Sequence, residues 1–305
     1  VDDAEIVFKA SATADNGLEY GAKIEYEFEK SSTDEAMIWL EGDWGTINLG
    51  NEDGADDLMK VAGFSALGGT GGWDGENFVT NNSSALIAAD LVGDNADDSK
   101  ITYITPGLSG FRAGVSFTPD GGHTYDAAFD DDNGDQENHI GVGVEYKGDF
   151  DQVGVHVSGR YMTAGYESND VGDTTEKEEV NVFALGGKVS FGDFAIAAGY
   201  GDNDDSGVTK ADSATGVDAG VWYDAAVQYA SGPIKVAAGY YHSEIQATAT
   251  AEAEADIFTV TADYNVADGL DVYGEFNYYE LEDGTTATTA DNEANVFIVG
   301  TKVSF

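Results

Sequence analysis

Cysteine is absent from this 305-residue chain and proline occurs only three times. Without cysteine there is no disulfide framework and no thiolate metal site. Positive charge is also scarce: 13 Lys and Arg stand against 58 Asp and Glu, a formal net charge of −45. A nucleic-acid binder needs a basic footprint to displace counterions from phosphate, so that class is excluded. Long apolar runs are missing too. The longest candidate, at 85–89, falls far short of the ~18 residues of a membrane helix. Val1 opens the chain without a basic and then apolar leader, from which any signal peptide is expected to have been removed.

What is present argues against disorder, the other outcome that such acidity suggests. Hydrophobic residues make up 42% of the chain, with 15 Phe and 16 Tyr, enough for a packed or lipid-facing surface. Forty glycines suit many short strands joined by turns.

The hydrophobic period is two almost everywhere. Leu18, Tyr20, Ala22, Ile24, Tyr26 and Phe28 fall on one face, and Glu19, Gly21, Lys23, Glu25 and Glu27 on the other. A helix would mix these sets, whereas a strand separates them. The same holds for Phe111, Ala113, Val115 and Phe117 against Arg112, Gly114 and Ser116. Fifteen such segments are predicted, at 5–14, 18–29, 35–41, 46–50, 100–105, 111–118, 138–147, 153–166, 179–191, 194–201, 219–230, 234–243, 255–264, 270–280 and 293–305. Most approach the ~9–11 residues that cross a bilayer at a tilt. A chain that spans a membrane without apolar helices must close its sheet, since only then is every backbone group paired within lipid. The expected fold is an all-β transmembrane antiparallel barrel, with residues 1–305 as one domain.

The connections are predicted to alternate. Tight turns fall at 15–17, 42–45, 106–110, 148–152, 192–193, 231–233 and 265–269. Long acidic loops fall at 30–34, 51–99, 119–137, 167–178, 202–218, 245–254 and 281–292. Outer-membrane barrels have this asymmetry, with short turns on the periplasmic side and long loops outside. Fifteen antiparallel strands leave the first and last parallel, so the parity predicts about 16, with a first strand ahead of Val1 or a strand within a segment read as loop.

Four patches carry a family resemblance: FKASATADNGLEYGAK at 8–23, GTINLGNEDGA at 45–55, PGLSGFRAGVSF at 106–117 and the terminal KVSF at 302–305. In this order they resemble the general trimeric outer-membrane porins of alphaproteobacteria. The resemblance implies a homotrimer in the outer membrane of a Gram-negative bacterium, in contact with lipid and lipopolysaccharide. It also implies a water-filled pore for small polar solutes and ions, narrowed by a third loop folded into the barrel. By position that loop is 51–99. It carries Glu52, Asp53, Asp56, Asp57, Asp74, Glu76 and Asp90 among Phe64, Leu67, Trp73 and Phe78. These acids read either as solvated loop charge or as an acidic lip on the constriction.

Lys9, Lys23, Arg112, Lys147, Arg160, Lys188, Lys235 and Lys302 all fall on the polar faces of their strands. On the lipid face a Lys or Arg costs about 2–4 kcal/mol at the midplane. Lys147, Lys188 and Lys235 read as solvated lumen residues balancing nearby Glu. Lys9, Lys23, Arg112 and Lys302, with Arg160 more distant, read as the basic cluster that the resembling porins place opposite the acidic loop. The excess of carboxylates predicts a cation preference, strongest at low salt.

The acidic loops and the histidines each raise a further chemistry. Asp130, Asp132, Asp135 and Glu137 offer the oxygen ligands that Ca²⁺ takes, although the spacing does not fit the twelve-residue calcium loop. A diffuse counterion cloud is the alternative. Catalysis has little support: the four His, at 123, 139, 156 and 242, form no metalloprotease or nucleophile-elbow motif. His139 and His156 fall on the lumen faces of adjacent strands, which leaves open that they approach each other. Tyr20, Phe28, Tyr146, Phe191, Phe194, Tyr229, Tyr264, Tyr278 and Phe305 suit interfacial girdles. Trp222, Tyr241, Tyr273 and Tyr279, on polar faces, leave open a substrate-specific channel for sugars or cations with an aromatic slide. A secreted acidic β-protein or adhesin is the remaining alternative.

Overall fold

Side chains that alternate in polarity can share one apolar face only if the backbone is extended. The structure, a computed structural model, describes residues 4–28, 30–72, 97–121, 136–167, 176–283 and 291–305. It contains fifteen strands: β1 (Glu5–Thr13), β2 (Glu19–Glu27), β3 (Ser32–Gly42), β4 (Gly45–Asn51), β5 (Ser99–Ile104), β6 (Phe111–Asp120), β7 (Gln136–Phe150), β8 (Val153–Tyr166), β9 (Val180–Phe191), β10 (Phe194–Asp202), β11 (Val221–Ser231), β12 (Ile234–Thr248), β13 (Ala251–Ala267), β14 (Leu270–Glu282) and β15 (Asn292–Val303). They form one sheet in sequence order, with every pairing between chain neighbours. Among the described residues no helix is long and apolar enough to cross a membrane.

The two faces differ as the sequence requires. On β9, Phe183, Leu185 and Val189 are exposed while Val180, Val182 and Ala184 are buried. The exposed face carries aromatic residues near both ends of the strands. At the turn end Phe111 packs on Tyr146 with ring centroids 4.8 Å apart, and Phe194 on Tyr229 at 5.0 Å. Toward the loop end Phe183 meets Tyr200 at 6.0 Å and Tyr223 meets Tyr240 at 6.3 Å. Rings with an apolar body and a polar tip suit the two membrane–water boundaries.

The buried face is concave, and one loop proves it. Glu52 contacts Lys23 on β2, Ala55 donates to Ser116 on β6, Gly63 to Asp224 on β11 and Thr70 to Glu275 on β14. On a flat sheet the span from β2 to β14 would be roughly 58 Å. Residues 52–70 would have to be fully extended to cover it. Instead residues 55–59 turn and Gly63–Ala66 is a 3₁₀ helix. The sheet therefore curves around the loop. Among the described residues β1 and β15 each pair on one side only and, with fifteen antiparallel strands there, run in the same direction. A sixteenth strand is not among the described residues.

The connections depart from strict alternation at two places. β12 and β13 meet at residues 249–250, so the loop expected at 245–254 is a tight hairpin. Its Glu and Ala content reads as loop, yet Ala253 and Ala255 are buried while Glu252 and Glu254 point the other way. Period two simply continues past the apolar band. Likewise β3 begins at Ser32, leaving residues 28–31 in place of the loop expected at 30–34.

Leu185 sits mid-strand on the exposed face of β9. Leu185→Arg should cost about 2–4 kcal/mol of folding free energy in lipid, measured by denaturant titration in vesicles. An unchanged stability would contradict the assignment of that face to lipid.

Candidate functional site

A backbone carried into the interior of a barrel must find partners for its N–H and C=O groups. The loop between β4 and β5 finds them on the wall. Its two ends are pinned together: Ser99 Oγ donates to Asn51 Oδ1 at 2.9 Å. The buried Lys100 ammonium donates to the carbonyls of Glu52 and Asp98. From there the loop lies in a groove along β6 and β7, where Ala55 N–H donates to Ser116 Oγ at 3.2 Å. Ala55 and Met59 are buried against Ile104. Glycine makes the groove possible. A Cβ at Gly143 would overlap the Ala55 carbonyl, and one at Gly186 on β9 would overlap the Val61 carbonyl.

Further along, acids take the amides and basic or amide side chains take the carbonyls. The Asp224 carboxylate accepts from Gly63 N–H at 2.7 Å and Phe64 N–H at 3.2 Å. Lys188 Nζ donates to Ser65 O at 2.6 Å and Gln228 Nε2 to Ala66 O at 2.7 Å. Lys235 Nζ donates to Leu67 O. Thr261 and Asp263 accept from Gly68 and Gly69 N–H at 3.0 and 2.9 Å, and Glu275 from Thr70 N–H at 2.7 Å. Thr259 Oγ1 closes the series on Gly72 O at 3.1 Å. Ala62, Ala66 and Leu67 pack meanwhile into an apolar cluster with Trp222, Tyr241, Ile257 and Tyr279.

The root of the loop is the acidic centre. Lys23 Nζ lies 3.0 Å from Glu25 and 3.1 Å from Glu52, and also contacts Glu35. Oxygens of Glu35, Glu52 and Asp53 lie within 4.8 Å of one another. That is a carboxylate group of metal-binding dimensions, but Lys23 contacts two of the three, so a protein ammonium already supplies positive charge there. Asp53, just beyond β4, is pushed up to about 7 by burial first, and then by Asp57, Glu35, Glu52 and Asp97. Burial also raises Glu52, although Lys23 pulls the other way.

The residues expected to form the site are distributed as follows. Lys9 and Lys23 stand directly opposite each other, as neighbouring strands require. Lys23, however, is joined to the loop's own Glu52 rather than facing the loop across a gap. Lys9 stacks on Trp39, 4.8 Å from the ring centre, and Lys302 on Tyr273 at 5.4 Å. Arg112 pairs with Glu145 at 2.7 Å on the β6–β7 wall, and Arg160 is buried on β8. Within the loop, Glu52 and Asp56 are buried, and Asp57 pairs with Lys60. Asp74, Glu76 and Asp90 lie outside the described residues, as do Asp130, Asp132 and Asp135 of the expected calcium group. Glu137 of that group lies at the start of β7, opposite Gly165.

Three expectations are corrected. Lys188 and Lys235 are not simply solvated partners of Glu; they hold loop carbonyls. His156 stands opposite Lys147, far along β7 from His139, so the two histidines do not meet. Trp222, Tyr241 and Tyr279 are buried beneath the loop and offer no slide to a passing solute. Missed altogether were Asp224, Asp263 and Glu275. Their inward positions follow from the alternation that located the lysines; what the sequence lacked was the loop lying over them.

The model of the Gram-negative porin family matches residues 2–284. Porin-like protein H of Photobacterium profundum is 24% identical, over 100% of this chain and 83% of that protein. A loop-deletion form of OmpT, an outer membrane protein of Vibrio cholerae, superposes with a TM-score of 0.65 at 21% identity, covering 98% of this chain and 89% of that one. The anion-selective porin from Comamonas acidovorans gives 0.66 at 18% identity, covering 99% and 88%.

Asp224→Ala would orphan two loop amides at a cost of about 2–4 kcal/mol, and Gly186→Val would push Val61 off the wall. Both should lower the melting temperature and raise single-channel conductance or its noise. Gly274→Ala, where a Cβ meets nothing within 4 Å, should change neither. Wild-type conductance in both loop variants would show that the loop does not narrow the pore.

Proposed function

The chain belongs to the Gram-negative porin family and is an outer-membrane porin; on that premise we propose that it is a homotrimeric diffusion channel for small hydrophilic solutes that favours cations. The observation that carries the preference is the loop root. There Glu25, Glu35 and Glu52 gather round the ammonium of Lys23 with Asp53 beside them, and the second nearby ammonium, that of Lys100, is turned to the carbonyls of Glu52 and Asp98. Carboxylates in excess along a narrowed, low-dielectric passage raise the local concentration of cations and repel anions. The formal charge of −45 acts in the same direction at longer range, where salt screens it.

The reading is non-enzymatic. His156 is engaged with Glu145 at 2.9 Å and His242 with Asp256 at 2.9 Å, both in ion-pairing geometry. Nor do the lumen-face aromatics favour a dedicated sugar path, because three of the four are packed under the loop. Graded neutral solutes in the conductance assay should therefore show a size cutoff and no saturable block.

Selectivity should depend on pH with a definite sign. Asp53, displaced upward to about 7, is charged above that value and gains a proton as pH falls through it. Reversal potentials across planar bilayers under a KCl gradient should show potassium preference at pH 8 and low salt, weakening toward pH 6. Asp53→Asn should remove most of that step. Chloride preference at pH 8 would refute the proposal.

A further inference from the structure

A row of nitrogen-bearing side chains crosses three neighbouring strands near the turn end of the inner wall. Lys147 on β7 stands opposite His156 on β8, which stands opposite Lys188 on β9. With Ser65 of the loop, Asp149 and Ser190 they line a cavity of about 340 Å³. In a chain of 13 Lys and Arg, two ammonium groups flanking one histidine are a local reversal of the prevailing sign.

The groups are arranged to converge. Directly opposed residues on adjacent strands have Cβ atoms about 5 Å apart, so the two lysine stems rise roughly 10 Å apart with the imidazole between them. Lys188 is fixed by its 2.6 Å bond to Ser65 O and retains further N–H donors. His156 is oriented by Glu145 at 2.9 Å from Nε2, leaving its other ring nitrogen unused by that contact. The charge of Glu145 is in turn met by Arg112 at 2.7 Å. Lys147 is exposed and has no ion-pair partner among the described residues. The hydroxyls of Ser65 and Ser190 add neutral donors. Asp149 is the one carboxylate in the lining, which leaves the ammonium groups in excess.

We propose that this pocket binds the phosphate group of a small phosphorylated solute, or inorganic phosphate, on the wall of the lumen. Several donors directed at one volume suit a multiply charged oxyanion, whose oxygens each take a charge-assisted hydrogen bond. Chloride would use only the net charge. The pocket requires a wetted inner face but not ion conduction, so it stands apart from the selectivity reading.

The test uses the full chain in detergent and inorganic phosphate as the probe, followed by ³¹P line broadening at constant ionic strength. Saturable broadening is expected, displaced by glycerol phosphate and not by equal ionic strength of chloride. Lys147→Gln removes a side chain that holds nothing else in place and should weaken apparent affinity roughly two- to fivefold, the scale of one solvent-exposed charge contact. Lys210→Gln, whose ammonium is paired with Glu176 at 3.2 Å away from the wall, should leave it unchanged. Absence of saturation, equal displacement by acetate, an unaltered Lys147→Gln, or equal weakening by Lys210→Gln would each overturn the proposal. A protein that binds phosphate yet passes no current would instead sink the channel reading and leave the pocket standing.

Discussion

The structure depends on one requirement, that the loop between β4 and β5 satisfy its own backbone once inside the barrel. Outside, water would take every N–H and C=O. Inside, the wall must supply partners. It does so with matched polarity: Asp224, Asp263 and Glu275 accept from amides, while Lys188, Lys235 and Gln228 donate to carbonyls. Charge-assisted bonds of this kind contribute about 1.5–3 kcal/mol each, and a series of them sets a path as well as a position. Apolar packing of Ala62, Ala66 and Leu67 under the same stretch removes the water that would otherwise compete.

That requirement also explains the placement of charge in so acidic a chain. Wall carboxylates under the loop take hydrogen bonds from its amides, and the few cations serve other tasks. Lys100 ties the two ends of the loop and Lys23 gathers the acids at its root. Lys188 serves two surfaces at once. It anchors Ser65 and faces the basic pocket, so loop position and pocket shape are mechanically linked. The proposed narrowing and selectivity thus rest on side chains whose first role is to hold backbone.

Much of this was legible beforehand. Period two located all fifteen strands, because a lipid face and a wet face cannot be exchanged without placing charge in hydrocarbon. The same rule set the inward direction of Lys9, Lys23, Arg112 and Lys188. It failed where polarity stopped reporting on geometry. At 249–250 the strands run on above the apolar band, so Glu252 and Glu254 look like loop while Ala253 and Ala255 keep strand register. Trp222, Tyr241 and Tyr279 share the polar face, yet the loop covers them.

The sequence by itself determined that the chain is a membrane barrel, which residues face inward, and that residues 51–99 are too long a connection to be a simple turn. Those properties are local, fixed by composition and by the two-residue repeat. Tertiary structure alone decided which inward residues meet the loop, that Lys23 joins Glu52, and that Lys147, His156 and Lys188 share one cavity. Such pairings depend on strand register and on the path of a segment crossing from β2 to β14. Neither leaves a periodic trace in the chain.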